Sequence, residues 1–338
     1  MSRAPEASLV LTLCNQAGTA EAAIRSAFAQ GGIVLEIIVS DDASDDATAE
    51  IAKRLVSAYE GPHRVRFRAN AKRMWRDHFP LLAETAAGAF VILAHGDDFM
   101  FPNRCARLLD EHRRTGARLV TSQVRRIHAQ GRDAGIWGPP SIPDPALTSL
   151  VAGLKDGLEK MDGVVNPGFI GAAMGWHKDL FQSFPPLDRR YSPIGFDYLL
   201  TFRAAMLGPV AIVAEPLLDY SVGMNFTAPE HEVTLPGEIE NRLFCDLGFL
   251  SALLRDMEHA AAAGREVPDA LRETVRRLCL ERLYKFVGNR GSLAQSYHPT
   301  WLPNHLHRDL IERQWWHQAR WFLHWAWLAV KFRLGRLR

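Results

Sequence analysis

Short apolar runs that alternate with helical patterns constrain the fold of this chain more than any other feature. Residues 8–13 form an apolar run rich in β-forming residues, and residues 20–28 then place apolar side chains at helical spacing. Further apolar runs at 33–39, 65–67 and 90–94 continue the alternation. This order predicts a Rossmann-like α/β fold, in which a mainly parallel sheet is flanked by helices on both faces.

Two acidic pairs follow these predicted strands. Asp41 and Asp42 end one run, and Asp97 and Asp98 follow another within His95-Gly96-Asp97-Asp98. Ligands of open α/β sheets bind outside the carboxyl ends of the strands. Neighbouring carboxylates disfavour joint ionisation unless a cation is present, and Mg²⁺ or Mn²⁺ prefers such oxygens and is shared with substrate phosphates. Asp97-Asp98 therefore suggests a metal–diphosphate site, although such a pair alone is more often the acidic cap of a helix.

The first acidic segment has two interpretations of its own. Carboxylates in residues 41–48 can accept hydrogen bonds from a base N–H or from ribose hydroxyls. The same residues also make a good helix N-cap. Because two acidic segments stand at neighbouring strand ends, a nucleotide site is favoured.

Three segments, taken in order, carry a family resemblance. They read VLTLCN at 10–15, SDDASDDAT at 40–48 and HFPLLAETAAGAFVILAHGDDFMFPNR at 78–104. Together they resemble the inverting family 2 glycosyltransferases of the GT-A fold. The resemblance implies a GT-A domain at 6–230, with a nucleotide-binding half at 6–105 and an acceptor half at 106–230.

The resemblance also implies an activity and its residues. It implies sugar transfer with inversion from a nucleotide-sugar donor, a UDP-sugar by default, to a hydroxyl of a glycan or lipid-linked acceptor. A divalent metal, Mn or Mg, would act on the diphosphate. Asp197 is the implied general base, the implied metal ligands are Asp98 and Asp97, and the implied nucleotide-binding residues are Thr12, Asn15, Asp42 and Asp97.

The chain departs from the family pattern in three places. His95 stands where many members have the first Asp of the metal motif, and Phe196 replaces the common Glu before the proposed base. Residues 220–225 lack the Arg or His that members often direct at the diphosphate. Three other cationic side chains are therefore candidates for diphosphate contacts, namely Arg73, Arg76 and His78.

Other classes of protein fit less well. No G-x-G-x-x-G follows the first predicted strand, and P-loop and G-x-S-x-G motifs are absent from the sequence. Forty basic against 38 acidic side chains give a net charge of only +2, which does not favour nucleic acid as a partner. A nucleotidyltransferase of related fold and a non-catalytic glycan-binding or membrane scaffold protein remain as alternatives.

The sequence after residue 230 changes character. Residues 231–338 predict a helical C-terminal region, and residues 321–330 are apolar except for His324. Ten residues are too few to span a bilayer, but a Trp-rich helix flanked by cations suits its interface. We therefore predict peripheral membrane contact through 313–338, with packing on the protein's own core as the alternative.

Cysteine usage bears on the compartment. The four cysteines are widely scattered, without a C-x-x-C pair, so neither a zinc site nor a disulfide framework is indicated. The expected location is the cytoplasm, at the cytosolic face of the membrane.

The Gly- and Pro-rich residues 135–144 predict a loop.

Overall fold

A computed structural model describes residues 5–74, 78–128, 131–139, 146–160, 169–186, 196–222 and 238–288. These residues contain nine strands in one sheet and nine α-helices. The strands are β1 Ala7–Leu13, β2 Leu35–Asp41, β3 Arg64–Ala69, β4 Phe90–His95, β5 Phe99–Met100, β6 Leu119–His128, β7 Asp133–Trp137, β8 Met174–His177 and β9 Val210–Val222. The helices are α1 Ala20–Phe28, α2 Thr48–Ser57, α3 His78–Thr85, α4 Arg104–Thr115, α5 Leu147–Lys160, α6 Asp179–Gln182, α7 Phe196–Leu207, α8 Glu238–Ala262 and α9 Asp269–Gly288.

The first half of the sheet has the predicted parallel arrangement. Its strands lie in the order β3-β2-β1-β4, and every neighbouring pair is parallel. The central strand β1 pairs with both β2 and β4, so that Thr12 stands between Ser40 and His95. The carboxyl ends of β1, β2 and β4 therefore meet at one edge, as the sequence predicts.

The second half makes the sheet mixed. The order continues as β8-β6-β9-β5, with β8 antiparallel to both β4 and β6, and β9 parallel to β6. Strand β7 forms an antiparallel hairpin with β6. Residues 135–137, which the sequence predicts as loop, lie in this strand. The α/β class is confirmed, and parallel pairing dominates only the half of the sheet that ends at β4.

The C-terminal helices share a core with the sheet. Leu250 and Leu253 of α8 and Leu278 of α9 belong to the same buried hydrophobic cluster as Val10 of β1 and Leu119 of β6. The described part of the C-terminal region is helical, as predicted. The boundary near residue 230 nevertheless does not divide the hydrophobic core.

Two further sequence predictions concern membrane contact and reduced cysteines. Residues 313–338, predicted as a membrane-interface helix, lie outside them. Within the described ranges, no helix combines the length and the apolar character needed to cross a membrane. Cys14, Cys105 and Cys279 are free thiols.

Candidate functional site

A threonine and a histidine meet where β1 and β4 end. Thr12 Oγ1 lies 2.8 Å from His95 Nδ1 and 3.3 Å from the carbonyl oxygen of Ala94. The parallel register, which places Thr12 beside His95, brings these side chains together. Thr12, predicted to bind the nucleotide, therefore holds the residue that replaces the usual first aspartate of the metal motif.

The loops after β1 and β2 are joined by hydrogen bonds. The backbone N–H of Asn15 donates to Ser44 Oγ at 2.9 Å, and Asn15 Oδ1 accepts from the backbone N–H of Asp45 at 2.8 Å. Asn15 has a φ of 50°, a left-handed conformation that asparagine tolerates better than most residues. Asn15, predicted to bind the nucleotide, thus shapes the entrance between the two loops.

Asp42 is buried at the end of β2, with 4% of its surface exposed. Its Oδ1 accepts hydrogen bonds from Asn70 Nδ2 at 2.7 Å and from the backbone N–H of Met74 at 2.8 Å. Buried carboxylates are costly unless hydrogen bonded, and these donors provide that compensation. Asp42 consequently ties the segment after β3 to the candidate nucleotide site.

The three candidate diphosphate contacts have different surroundings. Arg73 Nη2 pairs with Asp45 Oδ2 at 2.5 Å, so this cation is engaged at the mouth of the β2–α2 loop. His78 is buried at the start of α3, with Nε2 2.7 Å from Ser40 Oγ. Burial lowers the pKa of His78, which favours its neutral form. Arg76 lies outside the described residues.

Asp97 and Asp98 lie between β4 and β5 in different environments. The Gln16 side chain donates to the Asp97 carboxylate, and the Ser221 hydroxyl donates to the Asp97 carbonyl oxygen. Asp98 has 4% of its surface exposed, and its Oδ1 accepts the backbone N–H of Ser221 at 3.0 Å. Burial raises the pKa of both carboxyls, and the charge of Asp97 raises that of Asp98 further.

Gly96, between His95 and Asp97, allows a close approach to neighbouring side chains. A Cβ at Gly96 would lie 2.5 Å from Gln16 Oε1 and 2.5 Å from Leu13 Cδ2. The Gly96 N–H donates to the carbonyl oxygen of Thr12 at 3.0 Å. The chain therefore packs closely against β1 as it leads into the acidic pair.

Asp197 lies in the first turn of α7 and faces a turn from another part of the chain. Its Oδ2 accepts the backbone N–H of Gly171 at 2.9 Å, in the 3₁₀ turn Gly171–Ala173 that precedes β8. The next residue, Tyr198, is fully buried, with its ring 5.6 Å from that of Phe249 on α8. Packing of the C-terminal region thus helps to fix the start of α7.

His95 connects the predicted donor side with Asp197. Burial lowers the pKa of His95, whereas the charges of Asp97 and Asp197 oppose that shift. Both carboxylates therefore lie within electrostatic reach of one imidazole. The structure brings together Thr12, His95, Asp97 and Asp98 at the ends of β1 and β4 and places Asn15 and Asp42 at the neighbouring loops, while Asp197 lies at the turn that precedes β8.

The acidic pair is a candidate metal site that protein ligands alone do not complete. Among the described residues, no group of three or more His, Cys, Asp or Glu side chains is arranged to hold a metal ion. Asp97 and Asp98 nevertheless form a carboxylate pair whose pKa values are both raised. Such a pair gains from a divalent cation, and oxygen ligands suit Mg²⁺ and Mn²⁺. The donor set fits a metal whose remaining ligands come from substrate and water.

Several supporting residues were missed by sequence reasoning. Gln16, Asn70, Gly171 and Ser221 all bind predicted site residues. Gln16 could have been suspected from its position directly after the β1 strand end. Asn70 lies in no motif, and although Ser221 falls in the 220–225 segment of the family pattern, neither it nor Gly171 is marked there as a site residue. All three reach their partners through the tertiary fold.

Sequence comparison identifies a family for the first part of the chain. Residues 8–142 match the profile of "Glycosyl transferase family 2". The succinoglycan biosynthesis protein ExoO of Rhizobium meliloti (strain 1021) is 31% identical over 154 residues, which cover 44% of this chain and 42% of that protein. The putative glycosyltransferase EpsE of Bacillus subtilis (strain 168) is 29% identical over 151 residues, covering 44% of this chain and 52% of that protein. The chain matches about half the length of these relatives.

Solved structures show the same fold. Residues 1–349 of S. aureus TarS in complex with UDP-GlcNAc superpose with a TM-score of 0.57 at 14% identity, covering 88% of this chain and 78% of that chain. The complex of the same TarS fragment with UDP gives a TM-score of 0.55 at 14% identity, covering 85% and 74% respectively. At this identity the likeness concerns the fold alone, and it confirms the GT-A architecture with its mixed sheet.

Proposed function

The chain contains a glycosyl transferase family 2 domain at residues 8–142, and on that premise we propose that it transfers a sugar from a nucleotide-sugar donor to an acceptor hydroxyl with inversion. One observation carries the proposal. The acidic pair Asp97-Asp98 follows β4, and β4 pairs with β8, the strand preceded by the turn whose Gly171 N–H bonds Asp197. An inverting transfer needs carboxylates for two tasks, and this arrangement supports Asp97-Asp98 and Asp197 for them.

Asp197 would be the general base. Such a base removes the proton from the acceptor hydroxyl as that oxygen attacks the sugar carbon. Inversion requires this attack to occur on the face opposite the leaving diphosphate. The Gly171 N–H bonds one oxygen of the carboxylate, and this bond supports a fixed orientation for proton removal.

Asp98 and Asp97 would hold a divalent ion, Mn²⁺ or Mg²⁺. When bound, such an ion stabilises the charge that develops on the leaving diphosphate. Asp98 is buried and bonded by the Ser221 N–H, whereas Asp97 is bonded by Gln16. We assign metal binding chiefly to Asp98, and the ribose side to Asp97.

The nucleoside would lie between the loops after β1 and β2. Thr12, Asn15 and Asp42 are the proposed nucleotide contacts, and UDP is the default nucleotide. Arg73, held beside Asp45, is the proposed cation at this entrance. His78 would act there only indirectly, because it is buried against Ser40.

The acceptor is proposed to be a growing cell-surface polysaccharide or its lipid-linked precursor. The name of the Rhizobium relative refers to succinoglycan biosynthesis, which supports this class of acceptor.

Residues 313–338 would bring the enzyme to the cytosolic face of the membrane. A variant truncated after residue 312 should then leave the membrane fraction at lower salt than the full chain, and equal partitioning would contradict membrane contact through this segment.

A donor screen tests the proposed activity. The full chain is incubated with UDP- and GDP-sugars labelled in the sugar, membrane lipids as acceptor, and Mn²⁺ or Mg²⁺. We expect labelled lipid or glycan together with nucleoside diphosphate, whereas a nucleotidyltransferase would exchange pyrophosphate. No turnover with any donor would overturn the proposal.

A pair of variants tests the base. Asp197→Asn should lower transfer at least about a hundredfold, within the range typical of general base catalysis, while nucleotide affinity stays within about threefold. The exposed Asp110 on α4 provides the matched control, since Asp110→Asn should leave both quantities unchanged. Transfer that survives in Asp197→Asn would exclude Asp197 as the base.

A further inference from the structure

Arg104 is a fully buried arginine beside the acidic pair. It begins α4 and has 0% of its surface exposed. Its Nη2 donates to the carbonyl oxygen of Leu93 on β4 at 2.8 Å and to that of Ala172 at 2.5 Å. Its Nη1 lies 3.2 Å from Met100 Sδ on β5. One guanidinium therefore joins β4 and β5, which are near it in the sequence, to the turn at Ala172, which is 68 residues away.

The Ala172 contact leads directly to Asp197. Ala172 lies in the turn Gly171–Ala173, whose Gly171 N–H bonds Asp197 Oδ2 at 2.9 Å. Leu93 stands in β4, the strand that leads into Asp97 and Asp98. Because one nitrogen bonds both carbonyl oxygens, neither segment can move away from the other without losing a hydrogen bond.

The environment of Arg104 argues against a role in packing alone. Burying a guanidinium is costly unless its donors are satisfied, and Nε of Arg104 has no hydrogen-bond partner among the described residues. An apolar side chain would fill the same space without that cost. Arg104 also interacts electrostatically with Asp98. A buried cation with an unpaired donor, placed between the two halves of a site, indicates a task that an apolar residue could not perform.

We propose that Arg104 is a positioning residue that fixes the Asp97–Asp98 segment relative to the turn that orients Asp197. This inference rests on the proposed function, because it assigns the base and the donor-side carboxylates to sugar transfer. Arg104 contacts neither substrate nor reacting atoms. It acts through the Leu93 and Ala172 carbonyl groups and through the Gly171 N–H.

Three variants separate positioning from stability. Arg104→Met removes every donor, whereas Arg104→Lys keeps one nitrogen that can bond both carbonyl oxygens. Arg282→Met is the matched control, since Arg282 of α9 is 3% exposed, its Nη2 donates to the carbonyl oxygen of Leu158 on α5 at 2.7 Å, and its Nε lies 3.6 Å from the buried Asp246 carboxylate. Both methionine variants should lower the melting temperature.

The first measurement needs no transferase activity. Amide hydrogen exchange of the full chain is followed in a peptide that contains Gly171. We expect exchange at least about tenfold faster than wild type in Arg104→Met and within about threefold of wild type in Arg104→Lys and Arg282→Met, as judged from local opening equilibria. Wild-type exchange in Arg104→Met, or equally fast exchange in Arg282→Met, would overturn the proposal.

The second measurement is kinetic. Arg104→Met should lower kcat at least about tenfold while KM for the donor and affinity for UDP stay within about threefold, and Arg104→Lys should recover most of the loss. Equal losses in UDP affinity and kcat/KM would show that Arg104 serves the donor site instead, and would overturn the proposal.

If the wild type transfers no sugar, the proposed function fails, and the exchange data alone decide whether Arg104 holds the turn. If Arg104→Met does not fold, Arg104→Gln, with a neutral donor on a shorter stem, replaces it with the same expected changes.

Discussion

The Gly171 N–H donates to Asp197 Oδ2 at 2.9 Å, and a Cβ on Gly171 would lie only 2.8 Å from Oδ1 of the same carboxylate. A separation this short cannot persist for a real side chain, so one of the two groups would have to move. The carboxylate occupies its place because residue 171 has no side chain. Glycine here serves close approach, and its φ does not lie in the left-handed region.

Replacing Gly171 should therefore disturb the proposed base. Gly171→Ala is expected to lower kcat for transfer about ten- to a hundredfold, because a displacement of about 1 Å can cost that much in catalysis. Affinity for UDP should change little. A Cβ added at Gly153 on α5 would meet no other atom within 4 Å, so Gly153→Ala should leave kcat unchanged. Wild-type kcat in Gly171→Ala, measured from initial rates, would contradict the orientation of Asp197 described above.

Asp98 should reduce the stability of the metal-free protein. Burial, together with the charge of Asp97, raises the pKa of the Asp98 carboxyl well above its usual range. An acid with a raised pKa contributes stability at pH below its unfolded pKa, about 3.9, and that stability is lost as pH rises through the folded pKa. At pH 7, Asp98→Asn should therefore melt at least about 2 °C higher than wild type in EDTA.

Metal should reverse this difference. Mn²⁺ that binds the native state raises the melting temperature of the wild type by mass action, whereas Asp98→Asn should respond less. Asp110→Asn serves as the control and should respond like wild type. An equal Mn²⁺ response of wild type and Asp98→Asn would exclude Asp98 as a metal ligand.

The sequence predicts the first half of the site well because its signals are local. Buried parallel strands require continuous apolar runs, and the acidic pairs that follow mark the strand ends, so β1, β2 and β4 and the meeting of Thr12 with the acidic segments were predictable. The predicted run at 33–39 was shifted from the observed strand Leu35–Asp41. The strand continues into Ser40 and Asp41 because β1 and β3 supply their pairing partners.

The second half was less predictable because its contacts are tertiary. Ser221 bonds Asp98, and Gly171 bonds Asp197, across segments that no sequence motif connects. Strand β7 lies largely at the surface, with Ile136 59% exposed, so it lacks the apolar alternation that reveals a half-buried strand. Its glycines suggest a loop, but hydrogen bonds with β6 place it in the sheet.

His63 should make the stability of the fold depend on pH. The Leu35 N–H donates to His63 Nδ1 at 3.3 Å, and Nε2 lies 2.9 Å from the Gln30 carbonyl oxygen. These partners favour the neutral ring protonated on Nε2, and burial lowers the pKa of His63. The unfolded chain then binds the proton more strongly, so stability rises with pH through about 6.5 and is lost as pH falls towards 5.

A substitution isolates this contribution. His63→Gln should flatten the dependence of melting temperature on pH between pH 5 and pH 7, although His78 and His112, whose pKa values burial also lowers, retain part of it. The exposed His128 provides the control, and His128→Gln should keep the wild-type slope. An unchanged slope in His63→Gln would show that this ring is not responsible.

A buried ion pair should couple α7 to α8. Arg203 Nε and Nη2 bind Asp256 at 2.6 and 3.1 Å, and the two side chains are 1% and 0% exposed. Removing one partner leaves the other charge buried, so Arg203→Met should cost about 3–5 kcal/mol in urea unfolding. Arg203→Met combined with Asp256→Leu should recover much of that loss.

The exposed ion pair Arg25–Glu21 serves as the control for the stability cost of removing the buried pair. Its side chains are 61% and 43% exposed, and Arg25→Met should cost less than about 1 kcal/mol. If Arg203→Met cost no more than Arg25→Met, the pair would not be a significant link between the helices. Since α7 begins at the predicted base, we also expect Arg203→Met to lower kcat before it abolishes folding.

The contact between Thr12 and His95 makes a prediction about protonation. The Thr12 hydroxyl has one proton, and the Ala94 carbonyl oxygen, 3.3 Å away, can only accept. If Thr12 donates there, its oxygen accepts from His95 Nδ1 at 2.8 Å, and the ring carries its proton on Nδ1. We therefore expect nitrogen NMR of the wild type to show the Nδ1–H tautomer, with the mixed tautomers of a free imidazole in Thr12→Val.

Thr12→Val should also lower kcat/KM for the donor about tenfold, or about 1.4 kcal/mol, whereas Thr12→Ser and the remote Thr274→Val should leave kcat/KM unchanged. An Nε2–H tautomer in the wild type would mean that Thr12 donates to the ring, and wild-type kcat/KM in Thr12→Val would show that holding His95 is unimportant for transfer.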